Sequence, residues 1–201
     1  PAFMVVMGTL FFPTANALRL SLTNYSFARP ESTRFIGVEN FTYLFRNAEF
    51  MQAVGNTLLF SVVTVLFEVT IGLMLALLVN RAFRMRGLLR AAILFPWALP
   101  TALNAIIWRW MYNADFGVFN YLLSLVGVEP VNWLGSPSSA MASMMFVAIW
   151  KTSSFMALII LTGLQTIPTE LYEAARIDGA NRWDQFRRIT FPLVTPSIIL
   201  S

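Results

Sequence analysis

No cysteine and no histidine occur in the 201 residues. Their absence excludes a disulfide framework, thiol or imidazole catalysis, haem held by either side chain, and the common zinc sites. Charge is also scarce. Fourteen basic and 10 acidic side chains make up 12% of the chain, against about 25% in ordinary soluble domains. Lys151 is the one lysine, and the glycines of a phosphate-binding loop are missing around it. Hydrolysis of ATP is therefore not expected of this chain. So few charges cannot cover a soluble domain, which excludes disorder and a soluble nucleic-acid module. What the sequence has in quantity is apolar: 57% hydrophobic residues, with 18 phenylalanines. Those proportions imply a membrane protein, and the need to satisfy backbone groups in lipid makes it all-α.

Apolar runs divide the chain. The first, 1–22, is interrupted only by Pro13, Asn16 and Arg19, and reads as an N-terminal transmembrane helix. A polar loop follows over 23–52. The second run, Ala53 to Val79, holds one charge, Glu68; the third, Ala91 to Met111, holds Pro96, Pro100 and Arg109. The fourth, Ser139 to Leu164, has Lys151 near its middle, and a fifth begins at Phe191. Each complete run reaches the ~20 residues that cross about 30 Å of hydrocarbon. The expectation is a polytopic helical bundle of four complete spans plus a fifth that is cut off. Both ends, Pro1 and Ser201, read as interruptions of a longer chain.

Arginine placement sets the orientation. The segment 80–90 carries Arg81, Arg84, Arg86 and Arg90 with no acid, and 165–190 carries Arg176, Arg182, Arg187 and Arg188. Basic loops stay cytoplasmic, and the two lie on the same side by parity. The loops 23–52 and 112–138 are balanced or acidic, so they are expected on the outer face. Residues 117–126 are too short to span and read as an interfacial helix, with Tyr112 and Trp133 near headgroup depth.

The segment from Ile167 to Pro192 reads as two short helices joined by a tight turn. Pro168 and Thr169 start the first, with Glu170 and Glu173 expected in its first turn, where carboxylates suit the helix dipole. Gly179 is placed to end it. Asn181 and Asp184 form a capping-box pair for the second helix. Trp183, Phe186 and Ile189 give that helix an apolar face. Ala174 and Ala175 make a small, smooth patch. On composition alone this is an amphipathic loop at the membrane surface.

The particular string says more. Glu173-Ala-Ala-x3-Gly179-x9-Ile189-x-Phe-Pro192 resembles the EAA loop of permease subunits of binding-protein-dependent ABC importers, and Asp178 fits the pattern too. Phe191 departs from the leucine more usual there. Phe35-Ile-Gly-Val-Glu-Asn-Phe41, Asn56-Thr57, Gly117-x-x-Asn120, Trp150-Lys151 and Leu164-Gln-x-Ile-Pro168 are similar to the carbohydrate-type branch. The resemblance implies a type I importer fold, with 53–201 as the permease domain and 165–192 as a cytoplasmic coupling loop. It implies a sugar or related polyol as solute. The implied partners are a second permease subunit, two cytoplasmic ATPase subunits that bind ATP and Mg, and an extracytoplasmic solute-binding protein. Membrane lipid surrounds the assembly, and neither nucleic acid nor a metal is expected. Glu173, Ala174, Ala175, Asp178 and Gly179 would make the ATPase contact, Glu173 as the charged anchor facing an ATPase arginine. An inner-membrane, multi-pass location follows.

Charges within spans mark function by default. Glu68 and Lys151 lie at similar depth with opposite sign. They read either as an ion pair that fixes helix packing or as groups facing an aqueous cavity. Asn104 and Trp108 continue the stripe of Pro96 and Pro100, and suit either contact with a polyol or plain helix packing. A different class also stays open: an ion-coupled secondary transporter would use mid-span charges such as Glu68 without needing the loop.

Overall fold

The computed structural model describes residues 2–80 and 84–200; Arg81 of the basic segment lies outside them. Among the described residues the regular structure is helical, apart from one isolated bridge between Thr23 and Phe35. By internal contacts the chain divides into residues 1–59 and 60–201.

The first unit opens with α1 (Ala2–Val6), a π-helical turn (Met7–Phe11) and α2 (Phe12–Ser21), which together form one apolar rod. Pro13 explains the wide turn. A proline offers no N–H and its ring crowds the carbonyl four residues back, so the preceding turn loosens. None of the rod's central residues is buried within the chain, as suits a helix whose apolar side chains meet lipid. The loop after it is pinned by Asn40, whose Nδ2 donates to the Ser21 and Thr23 carbonyls at 2.8 and 2.9 Å. Asn40 sits in α3 (Glu39–Arg46). The motif around Phe35 to Phe41 thus closes a turn back onto the end of α2.

The helix α4 (Ala48–Asn80) belongs to both units and runs for 33 residues. It starts five residues before the apolar run does, because Glu49 and Gln52 are good helix formers and Asn47 accepts from the Phe50 N–H at 3.0 Å. Then come α5 (Arg86–Ala98), α6 (Thr101–Met111), the short α7 (Val118–Leu125) and the long α8 (Pro137–Gln165). Ser136 caps α8, with Ser139 completing a capping box. Residues 169–200 form α9 (Thr169–Ile177), α10 (Arg182–Gln185), a second π-helical turn (Phe186–Thr190) and α11 (Phe191–Leu200). This second wide turn also precedes a Phe-Pro pair, here Phe191-Pro192.

The third apolar run is not a continuous helix: α5 and α6 meet at Leu99-Pro100 with a bend of 93°. Proline pushes the residue before it out of the helical region, and Leu99 is extended at φ −69°, ψ 130°. Three helical segments are long and apolar enough to cross a bilayer unaided, namely Phe3–Ser21, α4 and α8; the bent pair makes a fourth if it counts as one span.

The bent pair nevertheless follows α8 from one end to the other. Tyr112 donates to the Ser143 carbonyl, Trp108 meets Trp150, Thr101 meets Lys151, Trp97 stacks on Phe155, and Leu89 and Ile93 pack against the cluster containing Leu161 and Leu164. Ser143 to Gln165 rises about 33 Å at ~1.5 Å per residue. Below this, Ala76, Val79, Ile160, Leu164 and Val194 form the core that joins α4, α8 and α11. Gly72 lets α4 approach: a Cβ there would stand 2.6 Å from that of Met156.

Candidate functional site

Two groups of residues singled out above fall in different parts of the second unit. The first is the loop from Gln165 to Pro192. Pro168 precedes α9, and only Glu170 lies in its first turn; Glu173, expected there too, is the fifth residue of the helix and falls just past that turn. At the other end Gly179 has φ +83°. The Gly179 N–H donates to the Arg176 carbonyl at 3.1 Å and the Ala180 N–H to the Ala175 carbonyl at 2.8 Å, the paired closure of a Schellman end. Asn181 accepts from the Trp183 and Asp184 N–H groups, while Asp184 accepts from the Asn181 N–H. The turn between α9 and α10 is therefore fixed by five local hydrogen bonds.

That turn presents a defined surface. Glu173, Ala174, Asp178 and Gly179 are exposed and Ala175 is half-buried. Ala175, Asp178, Gly179, Asp184, Arg188 and Ile189 border an open depression of about 360 Å³. Ile177 is 86% exposed and Trp183 67%. Ile177 was missed by the sequence reading. Its signal was an isoleucine between Arg176 and Asp178, off the apolar face of either helix. The inward side is tied down. The Tyr172 hydroxyl and the Thr190 hydroxyl are 3.0 Å apart, and both Tyr172 and Ile189 pack against the core under α8. Tyr172 and Ile189 thus tie α9 and the turn before α11 to the core that α8 shares.

The second group surrounds the break between α5 and α6. The Lys151 ammonium donates to the Leu99 carbonyl at 3.1 Å and to the Thr101 hydroxyl at 3.0 Å. The break creates this site: Pro100 ends α5, leaving its last carbonyl free at the negative end of the helix. Glu68 takes a different partner, the hydroxyl of Thr152, and is 6% exposed. Adjacent residues of α8 thus serve the two charges, and the Glu68–Lys151 ion pair does not form in this structure.

Asn104 and Trp108, 4% and 7% exposed, join Lys151, Thr101, Arg109 and Thr152 around a cavity of about 350 Å³. Trp108 is packed against Phe119, Phe146 and Trp150 with ring centres 5.1 to 5.9 Å away. Asn104 Oδ1 is buried with no hydrogen-bond partner among the described residues. Three of the four membrane residues singled out from sequence therefore share one cavity, and Glu68 reaches it through Thr152. The Gly117-x-x-Asn120 motif has a separate task. Asn120 donates to the Ala114 and Val131 carbonyls and accepts from the Val131 and Trp133 N–H groups, locking the loop over the aromatic cluster. Among the described residues no group of three acidic side chains is placed to hold a metal.

Comparison with known proteins places the chain in a family. Residues 68–201 match the family described as binding-protein-dependent transport system inner membrane component. The chain is 42% identical over 201 residues to the trehalose/maltose transport system permease protein of Thermococcus litoralis, covering 100% of this chain and 68% of that protein. It is 41% identical over 201 residues to the sulfoquinovosyl glycerol transport system permease protein of Agrobacterium fabrum, covering 100% of this chain and 65% of the other. Among solved structures, a bacterial alginate ABC transporter in complex with alginate pentasaccharide-bound periplasmic protein superposes with a TM-score of 0.82 at 27% identity, over 98% of this chain and 66% of the other. The chain thus spans about two thirds of the length of these relatives. The likenesses favour an ATP-driven importer over an ion-coupled transporter, and in such systems ATP is hydrolysed by a separate subunit. The chain belongs to the binding-protein-dependent transport system inner membrane component family, and it is a multi-pass permease component of an ABC importer.

Proposed function

We propose that the chain carries a sugar or related polyol through the cavity at the α5–α6 break, driven by an ATPase that grips the loop 165–192. The observation that carries the reading is the exposed, closed turn in the loop that follows α8, together with a cavity beside α8 into which Asn104, Thr101 and Lys151 bring polar groups. Asn104 offers an unused amide oxygen, and Thr101, Lys151 and Trp108 supply further hydrogen-bonding and ring surfaces. Such groups suit hydroxyls and sugar faces. The relatives' solutes, trehalose or maltose, sulfoquinovosyl glycerol and alginate, are all carbohydrates or glycosides.

The loop lies on the cytoplasmic side in this reading. The arginines at 84–90 and 176–188 share one side only if the bent pair crosses the membrane, and the positive-inside bias makes that side the cytoplasm. A re-entrant pair would send Arg176, Arg182, Arg187 and Arg188 outward. The contacts of the bent pair with α8 from Ser143 to Phe155, and the core it shares beyond them, support crossing. Glu173 anchors to an ATPase arginine, Ala174 and Ala175 permit close approach, Asp178 completes the polar rim, and Gly179 holds the turn. Closure of two ATP- and Mg-binding subunits then shifts α9, and the Tyr172–Thr190 link passes that shift to α11 and α8. Lys151 moves with α8 relative to Leu99, which opens or narrows the cavity. A second permease subunit completes the path, and a solute-binding protein delivers the solute to the outer loops.

Uptake of labelled maltose, trehalose and glycerol by cells carrying the whole importer tests the solute class, with Asn104→Leu alongside. The expected result is ATP-dependent uptake of a sugar or polyol that Asn104→Leu reduces without loss of assembly. Uptake that survives ATP depletion and follows an ion gradient contradicts the reading.

A further inference from the structure

Arg90 lies half-buried in α5, and its Nε and Nη2 are buried with no hydrogen-bond partner among the described residues. Leaving a charged donor unsatisfied in a low-dielectric setting is costly. The acids of the neighbouring helices do not meet that need. There are none on α5 or α8, and the one acid deep in α4, Glu68, is engaged at Thr152. Arg90 borders a cavity of about 140 Å³ whose other walls include Leu75, Ala76, Val79, Ala157 and Leu161, with Thr162 and Gln165 as its further polar residues.

The cavity is polarised along α4 and α8. Val79 and Gln165 are at the ends of α4 and α8, whereas Leu75 and Ala157 lie one to two turns deeper. A cation at helix-end depth therefore opens onto an aliphatic slot that leads inward. Leu158 at its border is exposed, so the slot is continuous with lipid-facing surface. Arg84 and Arg86 add positive charge at the same end.

We propose that this is a binding site for an anionic phospholipid, with the phosphodiester on Arg90 and the start of an acyl chain in the slot. The planar guanidinium presents paired donors to phosphate oxygens, and anionic lipids concentrate where basic segments meet the cytoplasmic leaflet. The site rests on the membrane placement and not on the transported solute.

Native mass spectrometry of the assembled transporter, titrated with phosphatidylglycerol or phosphatidylcholine, tests it. The wild type should retain phosphatidylglycerol preferentially. Arg90→Gln should weaken that retention by about tenfold, the loss expected for a charge-assisted hydrogen bond, and leave phosphatidylcholine unchanged. Arg90→Lys should keep part of the preference, and Leu158→Trp, which fills the slot and spares the charge, should reduce it. Equal retention of the two lipids, or no effect of Arg90→Gln, overturns the proposal. Loss of a neighbouring subunit from the Arg90→Gln complex with lipid retention intact also overturns it, because Arg90 would then serve a protein carboxylate. A transporter that imports its solute normally yet shows no lipid preference removes this site alone.

Discussion

A lysine ammonium within a bilayer is costly unless oxygen atoms replace its water. Lys151 finds two, one from the backbone carbonyl of Leu99 and one from the Thr101 hydroxyl. Lys151→Met should therefore leave the Leu99 carbonyl unsatisfied, at about 1–3 kcal/mol, and lower both the thermal stability of the purified complex and its uptake rate. Exchanging the charges (Glu68→Lys with Lys151→Glu) should not restore function, because each group is held by its own partner. Recovery of uptake in that double variant would show an ion pair after all. Both charges were visible in the sequence because intramembrane charges are rare. The partner of Lys151 was not, because a carbonyl freed by a proline has no side-chain signature. Trp108 and Asn104 show the same limit: the stripe identified them, but only the packing separates a tryptophan inside an aromatic cluster from an amide with a free oxygen.

Glycine positions decide how the helices meet and end. A side chain at residue 72 would collide with Met156, so Gly72→Val should force α4 and α8 apart and cost about 1–3 kcal/mol as an overpacked contact. A lowered melting temperature of the assembled complex checks this. Gly179→Val should strain the turn at φ +83° by about 1–2 kcal/mol, and loosen α9 against α10 before it affects the membrane helices. Protease sensitivity confined to 178–182 would report that. Helix content and the turn at 178–181 were legible, because apolar runs, a capping box and a left-handed glycine all have local signatures. The 93° break was only half legible. Pro96 and Pro100 announced a disturbance, but whether the helix bends or ends depends on the packing partner, here α8. The wide turns before Pro13 and Pro192 were not read at all, since their cause is a clash one turn back from the proline.

At the scale of the whole molecule, the absence of cysteine from these 201 residues makes their membrane topology directly measurable. Single cysteines at Gly87 and Arg182 should react with a membrane-impermeant thiol reagent only from the cytoplasmic side, and one at Glu129 only from outside. Labelling of Gly87→Cys and Glu129→Cys from the same side would make the α5–α6 pair re-entrant and reverse the placement of the loop at 165–192. The proposed mechanism depends on that loop converting ATPase closure into movement of α8. The most direct measurement is the ATPase activity of the reconstituted importer with and without solute-loaded binding protein, in wild type and in Glu173→Lys. The variant should insert and fold but lose both the stimulation and the uptake. Stimulation and uptake equal to wild type, with the ATPase subunits still bound, would contradict the mechanism.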